Sequence, residues 1–287
     1  MIPMHTVTEI LKRAARTLAP HSDSPRLDAE LLLGEVLGVA RSALIVRSAE
    51  RLAGDSLRDY QRLLERRMQG APIAYLTGTR EFWSLPLKIT PAVLVPRPET
   101  ESLVERALEL VPPEEACTIL DVGTGSGAVA LAIAAERPRA RVTGVDVSAA
   151  ALEVAGENAR ALALPNIEWR LGSWFEAVAG ERFDLIVSNP PYIADGDPAL
   201  KMLIAEPALA LVGGPTGLEA LATIIAGAAL HLKPCGSLLL EHGSDQHPKV
   251  ARLLERHGFT GVRSHADYSG TPRVTSGTLH SPPQEIP

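Results

Sequence analysis

The sequence predicts an α/β protein: an open, mostly parallel sheet covered on both faces by helices, preceded by a small helical bundle and joined to it by a β-hairpin. Two observations carry this. Beyond Pro113 short apolar runs rich in Val, Ile and Leu alternate with segments of helical period, the pattern of buried parallel strands and their crossovers. Before residue 80 the period is helical throughout. With 287 residues the chain is long enough for one ordinary domain and a smaller one, and no internal repeat is visible. The expected layout is a helical bundle over 1–78, a connecting hairpin over 79–96, the sheet domain over 97–281 and a C-terminal tail over 282–287.

In the bundle, Val7, Ile10, Leu11, Ala14 and Leu18 recur at 3.6-residue spacing and predict the first helix. Ser24 and Pro25 read as N-cap and N1 of a second helix, through Leu27, Leu31 and Leu32 to Val36 and Leu37. Leu57, Tyr60, Leu64 and Met68 mark a later one behind Asp55, which Gly70, Ala71 and Pro72 stop. Four or five short helices suffice for a bundle. From Thr79, REFWSLPLKIT and AVLVP read as extended pieces, and Leu103, Val104, Ala107, Leu108 and Val111 as a helix.

The sheet domain then follows in order. Strands are expected at 117–122, 140–146, 167–171, 183–188 and 236–243, with helices from Ala128 to Glu136, Ser148 to Ala161, Gly217 to Leu230 and Pro248 to His257. The segment after Phe259 holds two extended runs, a terminal hairpin.

Composition narrows the function classes. The net charge of −6 gives no global positive field for a nucleic-acid backbone, and no direct nucleic-acid contact is expected. Cys117 and Cys235 form no CxxC pair, and neither a zinc site nor a disulfide framework follows; no metal is expected. The first 15 residues have no signal-peptide core, and no 18-residue apolar run occurs, so a cytoplasmic protein without a membrane partner is expected. His242 and His247 lack helical zinc spacing and a third ligand, which leaves Glu241 and His242 as possible edges of a cofactor site. Glu206 with Pro207 is placed to order the loop after NPPY, with capping the plainer alternative.

Ligands of such sheets bind beyond the carboxyl ends of the strands. There lies DVGTGSGA, residues 121–128, whose Gly123, Gly125 and Gly127 permit a tight turn and a close ligand approach. Gly123, Gly125 and Ala128 also satisfy the dinucleotide pattern GxGxxA, and Asp146 ends the second strand where ribose hydroxyls of either NAD or S-adenosylmethionine would lie. Asp121, just before the glycines, favours a cationic amino-acid portion and opposes a pyrophosphate. Asn189, Pro190, Pro191 and Tyr192 follow the fourth strand. The two N–H groups of an amide or aromatic amine can be accepted by the Asn189 side-chain oxygen and the Pro190 carbonyl, beside the Tyr192 ring.

These blocks together closely resemble the release-factor glutamine N5-methyltransferases, S-adenosylmethionine-dependent enzymes that modify the glutamine of the Gly-Gly-Gln loop in bacterial peptide chain release factors. The matching segments are REFWSLPL, VLVPRPETE, DVGTGSGAVALA, GVDVSAAALEVAGENA, GSWFEA, FDLIVSNPPYI, EPALAL with GGPTGLE, GSLLLEHGSDQ and GTPRVTSG, over about residues 70–277. NPPY alone is shared with adenine-methylating enzymes, and VLVPRPETE narrows the family. The resemblance implies a Rossmann-like methyltransferase sheet and an N-terminal bundle that binds the release factor. It implies S-adenosyl-L-methionine as cofactor and S-adenosyl-L-homocysteine as product, and a monomer acting in protein methylation at translation termination.

By the same resemblance Gly123, Thr124, Gly125, Ser126 and Gly127 would cradle the methionine part behind Asp121. Asp146 would bind the ribose with Val147 beside it, and Ser173 and Trp174 would border the adenine. Asn189, Pro190, Pro191 and Tyr192 would clamp the substrate amide, with Asn189 also near the cofactor and with Asn189, Pro190 and Tyr192 the catalytic set. Arg97, Pro98, Glu99 and Thr100 would form the wall beside the target glutamine. Three places depart from the family pattern: Ser173 stands where Asp is common, Trp83 where Tyr often follows REF, and Thr271–Pro272 in place of a charged pair. An adenine or other amine methyltransferase, a dehydrogenase and a non-catalytic cofactor-binding module are the alternatives.

Overall fold

The computed structural model describes residues 5–52 and 54–280. The expected tail 282–287 lies outside them, as do residues 1–4 of the bundle. The chain divides into two compact units, 1–79 and 80–287.

The first unit holds β1 (His5–Thr6), α1 (Val7–Leu18), α2 (Pro25–Leu37), α3 (Ala43–Val46), β2 (Arg51–Leu52), α4 (Asp55–Met68) and α5 (Ile73–Thr77). Thr6 and Glu9 cap α1 reciprocally: the Thr6 hydroxyl accepts from the Glu9 amide at 3.3 Å and the Glu9 carboxylate accepts from the Thr6 amide at 2.9 Å. The stripe Val7, Ile10, Leu11, Ala14 and Leu18 is buried, as its spacing predicts, against Ala29, Leu32 and Leu33 of α2. Tyr60 of α4 joins that core and donates its hydroxyl to the Ala29 carbonyl at 3.0 Å. Asp28 accepts from Arg67 Nε at 2.8 Å, tying α2 to α4. Ser24 and Pro25 stand at the N-cap and N1 of α2 as expected, although the Ser24 side chain makes no capping bond, and α4 ends at Met68 before Gly70, Ala71 and Pro72. Leu27 is exposed where the spacing placed it in the helix stripe, and a further short helix, α5, follows Pro72.

The hairpin β3 (Thr79–Phe82) and β4 (Leu85–Lys88) turns through Trp83 and Ser84, both at positive φ (51° and 58°), the handedness that a two-residue hairpin turn requires. AVLVP is not a strand. Pro91 and Pro96 interrupt it, and its Val95 amide donates to Glu206 Oε2 at 3.0 Å instead of to a neighbouring strand. A 3₁₀ turn at Pro98–Thr100 then leads into α6 (Glu101–Leu110).

The rest of the second unit is β5 (Thr118–Val122), α7 (Ala128–Glu136), β6 (Arg141–Asp146), α8 (Ala149–Ala161), β7 (Ile167–Leu171), β8 (Phe183–Ser188), α9 (Glu219–His231), β9 (Leu232–Glu241), α10 (His247–Arg256), β10 (Phe259–Ala266) and β11 (Pro272–Leu279). These make one seven-stranded sheet of order β10-β11-β9-β8-β5-β6-β7. β5 to β9 run parallel, and the terminal hairpin pairs antiparallel onto β9. Alternation along each strand sorts the core. Leu120, Val122, Ile186, Leu238 and Leu240 pack with Leu221, Ile224 and Ile225 of α9 and Val250 and Leu254 of α10. The opposite parity, Ile119, Asp121, Leu185, Val187, Leu239 and Glu241, is buried on the other face. The chain winds from β5 to β6 on one side and reaches β8 on the other, so the strand order switches beside β5 and opens a crevice at the carboxyl ends of β5 and β8.

Candidate active site

The turn after β5 is held from within. Gly123, Gly125 and Gly127 all have positive φ (75°, 57° and 80°), and a Cβ on Gly127 would stand 2.8 Å from the Trp169 ring. The amides of Gly123 and Thr124 donate to the Val145 carbonyl at 2.8 and 3.0 Å, and that of Gly125 to Asp146 Oδ2 at 2.9 Å. Asp146 Oδ1 accepts from the Ser148 amide at 2.8 Å, so this carboxylate couples the glycine turn to the start of α8. Asn158 of α8 is the second tie. Its Oδ1 accepts from the Lys88 amide at 2.7 Å while its Nδ2 donates to the carbonyls of Lys88 (3.1 Å) and Ser126 (3.0 Å), fixing the hairpin to the turn.

Asp121 decides what charge this turn accepts. It is 2% exposed, Oδ2 accepts from the Thr124 hydroxyl at 2.6 Å, and the Ala130 amide at the start of α7 also bonds its carboxyl. Burial pushes that carboxyl up to about 7, opposed by those two hydrogen bonds and reinforced by the charge of Asp146. In a dinucleotide fold the same helix end would meet a pyrophosphate. Here the Ala130 amide of that helix end meets the Asp121 carboxyl, which in its ionised form repels an anion and favours a cation.

A cavity of about 490 Å³ opens over this turn, within the range of small-molecule sites. Asp121, Gly123, Thr124, Gly125, Ser126, Asp146, Val147, Ser173, Trp174, Asn189, Pro191 and Thr100 line it. Gly127, Pro190, Tyr192, Arg97, Pro98 and Glu99 do not. Gly127 serves as the left-handed residue that opens α7. Arg97 pairs with the buried Glu206, which therefore ties the PRPET segment to the loop after NPPY. Thr100 is 3% exposed and accepts from Asn189 Nδ2 at 3.1 Å. The Tyr192 hydroxyl donates to Glu241 Oε1 at 3.3 Å, and burial with the Glu241 charge pushes its pKa upward. Glu241 and His242 lie outside the cavity wall; His242 bonds Thr275 Oγ1 (2.7 Å) and the Gly243 carbonyl (2.9 Å).

The NPPY segment is clamped from behind. A Cβ on Gly213 would stand 2.4 Å from the Pro191 carbonyl oxygen, and one on Gly217 2.4 Å from that of Tyr192. Gln246 Nε2 donates to that same Tyr192 carbonyl at 2.9 Å. Among the described residues no group of three or more His, Cys, Asp or Glu side chains is placed to hold a metal ion, and no helix is long and apolar enough to cross a membrane.

Residues 9–78 match the PrmC N-terminal domain, and residues 103–263 match the methyltransferase small domain. Over 276 residues the chain is 45% identical to a release factor glutamine methyltransferase of Aliivibrio fischeri, covering 95% of this chain and 97% of that protein. The chain belongs to the release factor glutamine methyltransferase family. The namesake of Salmonella typhimurium is 48% identical over 258 residues, 89% of this chain and 93% of its own. In fold, this family member resembles the methyltransferase of Pyrococcus furiosus, with a TM-score of 0.53 at 21% identity over 69% of this chain and 89% of that one. It also resembles the Thermus thermophilus 16S rRNA N2 G1207 methyltransferase, with a TM-score of 0.52 at 23% identity over 70% of this chain and 49% of that one.

Some of the enzyme's site residues escape sequence reading. Val93, Leu94 and Pro96 of the misread AVLVP run form cavity wall, as do Leu209 and Val212 beyond NPPY. The paired Gly213 and Gly214 were the available signal for a close backbone approach. Asn158 gave none, because its partners Lys88 and Ser126 are distant in sequence.

Proposed function

We propose that the protein transfers a methyl group from S-adenosyl-L-methionine to the side-chain amide nitrogen, N5, of the glutamine in the Gly-Gly-Gln motif of bacterial peptide chain release factors. S-adenosyl-L-homocysteine is the second product. Asn189 carries this reading: its amide nitrogen is engaged by Thr100, so its oxygen, which makes no hydrogen bond among the described residues, is the group left to accept from a ligand in the cavity that the glycine turn also lines.

The residues present fit the cofactor. A buried carboxylate that favours cations, a glycine turn without Cβ obstruction, Asp146 and the Trp174 ring border one cavity. Asp121 and the turn would hold the charged methionine portion, Asp146 with Val147 the ribose, and Ser173 with Trp174 the adenine side. When bound, S-adenosyl-L-methionine supplies an electrophilic methyl group on a positively charged sulfur that is a good leaving group.

The chain's own residues must make a neutral amide nitrogen attack. Its lone pair is delocalised into the carbonyl, which makes it a poor nucleophile. Asn189 Oδ1 and the Pro190 carbonyl accept its two N–H bonds, orient the nitrogen and favour loss of conjugation as attack begins. Only then does the nitrogen become acidic, and its proton leaves through the same acceptors or to solvent, so no strong base is needed. Tyr192, outside the cavity wall and tethered to Glu241, supports the segment from behind.

In this reading residues 1–78 bind the release factor, 79–96 connect, and 97–281 carry out transfer, in a cytoplasmic monomer that needs no nucleic acid or membrane. The family match to 9–78 supports the role given to the bundle. Replacing Asn189 with Ala is expected to cost about 2 to 4 kcal/mol in kcat/KM while cofactor affinity stays near wild type. A folded variant with wild-type turnover would sink the clamp.

A further inference from the structure

α10 buries Val250 and Leu254 in the core beneath it and carries a second stripe on another face. Lys249, Arg252, Leu253 and Arg256 stand at i, i+3, i+4 and i+7, the spacing of one helix face. Where a covered face would carry apolar residues, three of these four are exposed cations, spread over about 10 Å of helix. With Leu218, just before α9, and Ala222 within it, they border a cavity of about 340 Å³ between the two helices. This groove shares a single residue, Glu219, with the wall of the cofactor cavity.

Many cations of the second unit are matched: Arg97 with Glu206, Arg106 with Glu105 and Glu109, Arg170 with Glu168 and Glu181, and Lys233 with Asp184. Lys249, Arg252 and Arg256 form neither an ion pair nor a side-chain hydrogen bond among the described residues. The one acid lining their groove is already committed. Glu219 accepts from the Thr216 amide at 3.2 Å, from the Thr216 hydroxyl at 2.9 Å and from the Leu218 amide at 3.1 Å. Glu255 of the same helix is not part of the groove wall. Like charges one helical turn apart repel one another, and in a chain of net charge −6 they make a local positive groove over an apolar floor of Leu218, Ala222 and Leu253.

We propose that this groove seats an acidic segment of the substrate protein, with Asp or Glu side chains paired to Lys249, Arg252 and Arg256 and an apolar side chain laid over the floor. The proposal rests on the methyltransferase reading above and adds to it a feature of the substrate outside the Gly-Gly-Gln loop. Position decides the partner. Ala220 and Thr223 of α9 belong to the cofactor cavity, Leu218 and Ala222 to the groove, and Glu219 to both, so the first turns of one helix separate the two. A protein that extends its glutamine loop into the cavity therefore brings its neighbouring surface over the groove. A nucleic-acid backbone calls for a longer run of positive charge and gains nothing from an apolar floor. The three cations lie outside the cavity wall, so they act on encounter and affinity and not on transfer.

The test uses the full chain, S-adenosyl-L-methionine and an intact bacterial release factor, and replaces Lys249, Arg252 and Arg256 together by Gln. At low salt the KM for release factor is expected to rise about tenfold, with kcat and the cofactor Kd within about twofold of wild type. Added salt should raise the wild-type KM and leave that of the Gln variant nearly flat, because exposed pairs are screened. Arg252→Lys with Arg256→Lys keeps the charge and should hold KM within about threefold of wild type. Ala222→Gln fills the floor with an uncharged chain and should also raise KM, which separates seating in the groove from attraction at a distance. Fluorescein-labelled poly-L-glutamate, followed by anisotropy, should bind the wild type, fail to bind the Gln variant, and compete with release factor but not with cofactor. An unchanged KM in the Gln variant, equal salt dependence in the two proteins or a silent Ala222→Gln would each overturn the proposal. A single-stranded RNA held by the same three side chains more tightly than poly-L-glutamate would overturn it in favour of a phosphate backbone. Failure of the wild type to methylate the release factor would instead overturn the reading beneath, and since poly-L-glutamate binding is read without turnover, the two failures are distinguishable.

Discussion

Asp121 is the residue whose environment says most about the ligand. Its carboxyl is pushed from 3.8 up to about 7 chiefly by burial, so the folded protein holds a proton there that the unfolded chain releases near its ordinary value. With the folded value raised, the associated stability is present below about pH 4 and is lost as pH rises through about 7. Replacing Asp121 with Asn should therefore become progressively more stabilising, relative to wild type, between those limits and level off above them, measured by denaturant unfolding across pH. A cation beside Asp121 favours its ionised form, so cofactor affinity should rise over the same range in wild type and be flat in the Asn variant. Equal pH slopes in the two proteins would show that Asp121 does not meet the cofactor's charge. Asp121 was legible because its chemistry depends on glycines immediately after it in the chain. Asn158 was not, since the Lys88 backbone it holds lies 70 residues away, and no local pattern records such a pairing.

Elements were legible wherever period and burial agree. The run 183–188 became β8, and the first bundle stripe became the buried face of α1, because a strand or helix buried on a known face repeats at a known interval. AVLVP fails for a physical reason: its β-branched residues suit a strand, but prolines at both ends deny it ladder donors, and it forms cavity wall instead. Packing across elements is equally invisible in sequence. A Cβ on Gly144 of β6 would lie 2.4 Å from the Trp169 ring of β7. Gly144→Ala should therefore destabilise the second unit by about 1 to 3 kcal/mol through overpacking. An unchanged thermal midpoint would mean that Trp169 rotates away without cost. Gly213→Ala presses on backbone, the Pro191 carbonyl, which cannot rotate away. It should slow transfer more than it weakens cofactor binding.

At the scale of the molecule, the cavity walls come entirely from the second unit, residues 80–287, so a chain beginning at Arg80 should bind S-adenosyl-L-methionine with a Kd within a few fold of the whole protein. If the bundle binds the release factor, that shortened chain should lose methylation of the intact factor while keeping the cofactor. Retained turnover would remove the bundle from recognition. The two-part organisation was legible in the change from helical period to alternating strands and helices near residue 80. Which surface of the bundle meets a partner was not, because docking surfaces lack the periodicity that burial imposes. The central claim is tested most directly by incubating the protein with S-adenosyl-L-methionine and a bacterial release factor and locating added mass by peptide mass spectrometry. One methyl group on the glutamine of the Gly-Gly-Gln loop, absent when that glutamine is replaced, is the predicted result. An unmodified loop in a folded factor, with cofactor binding demonstrated, would contradict it.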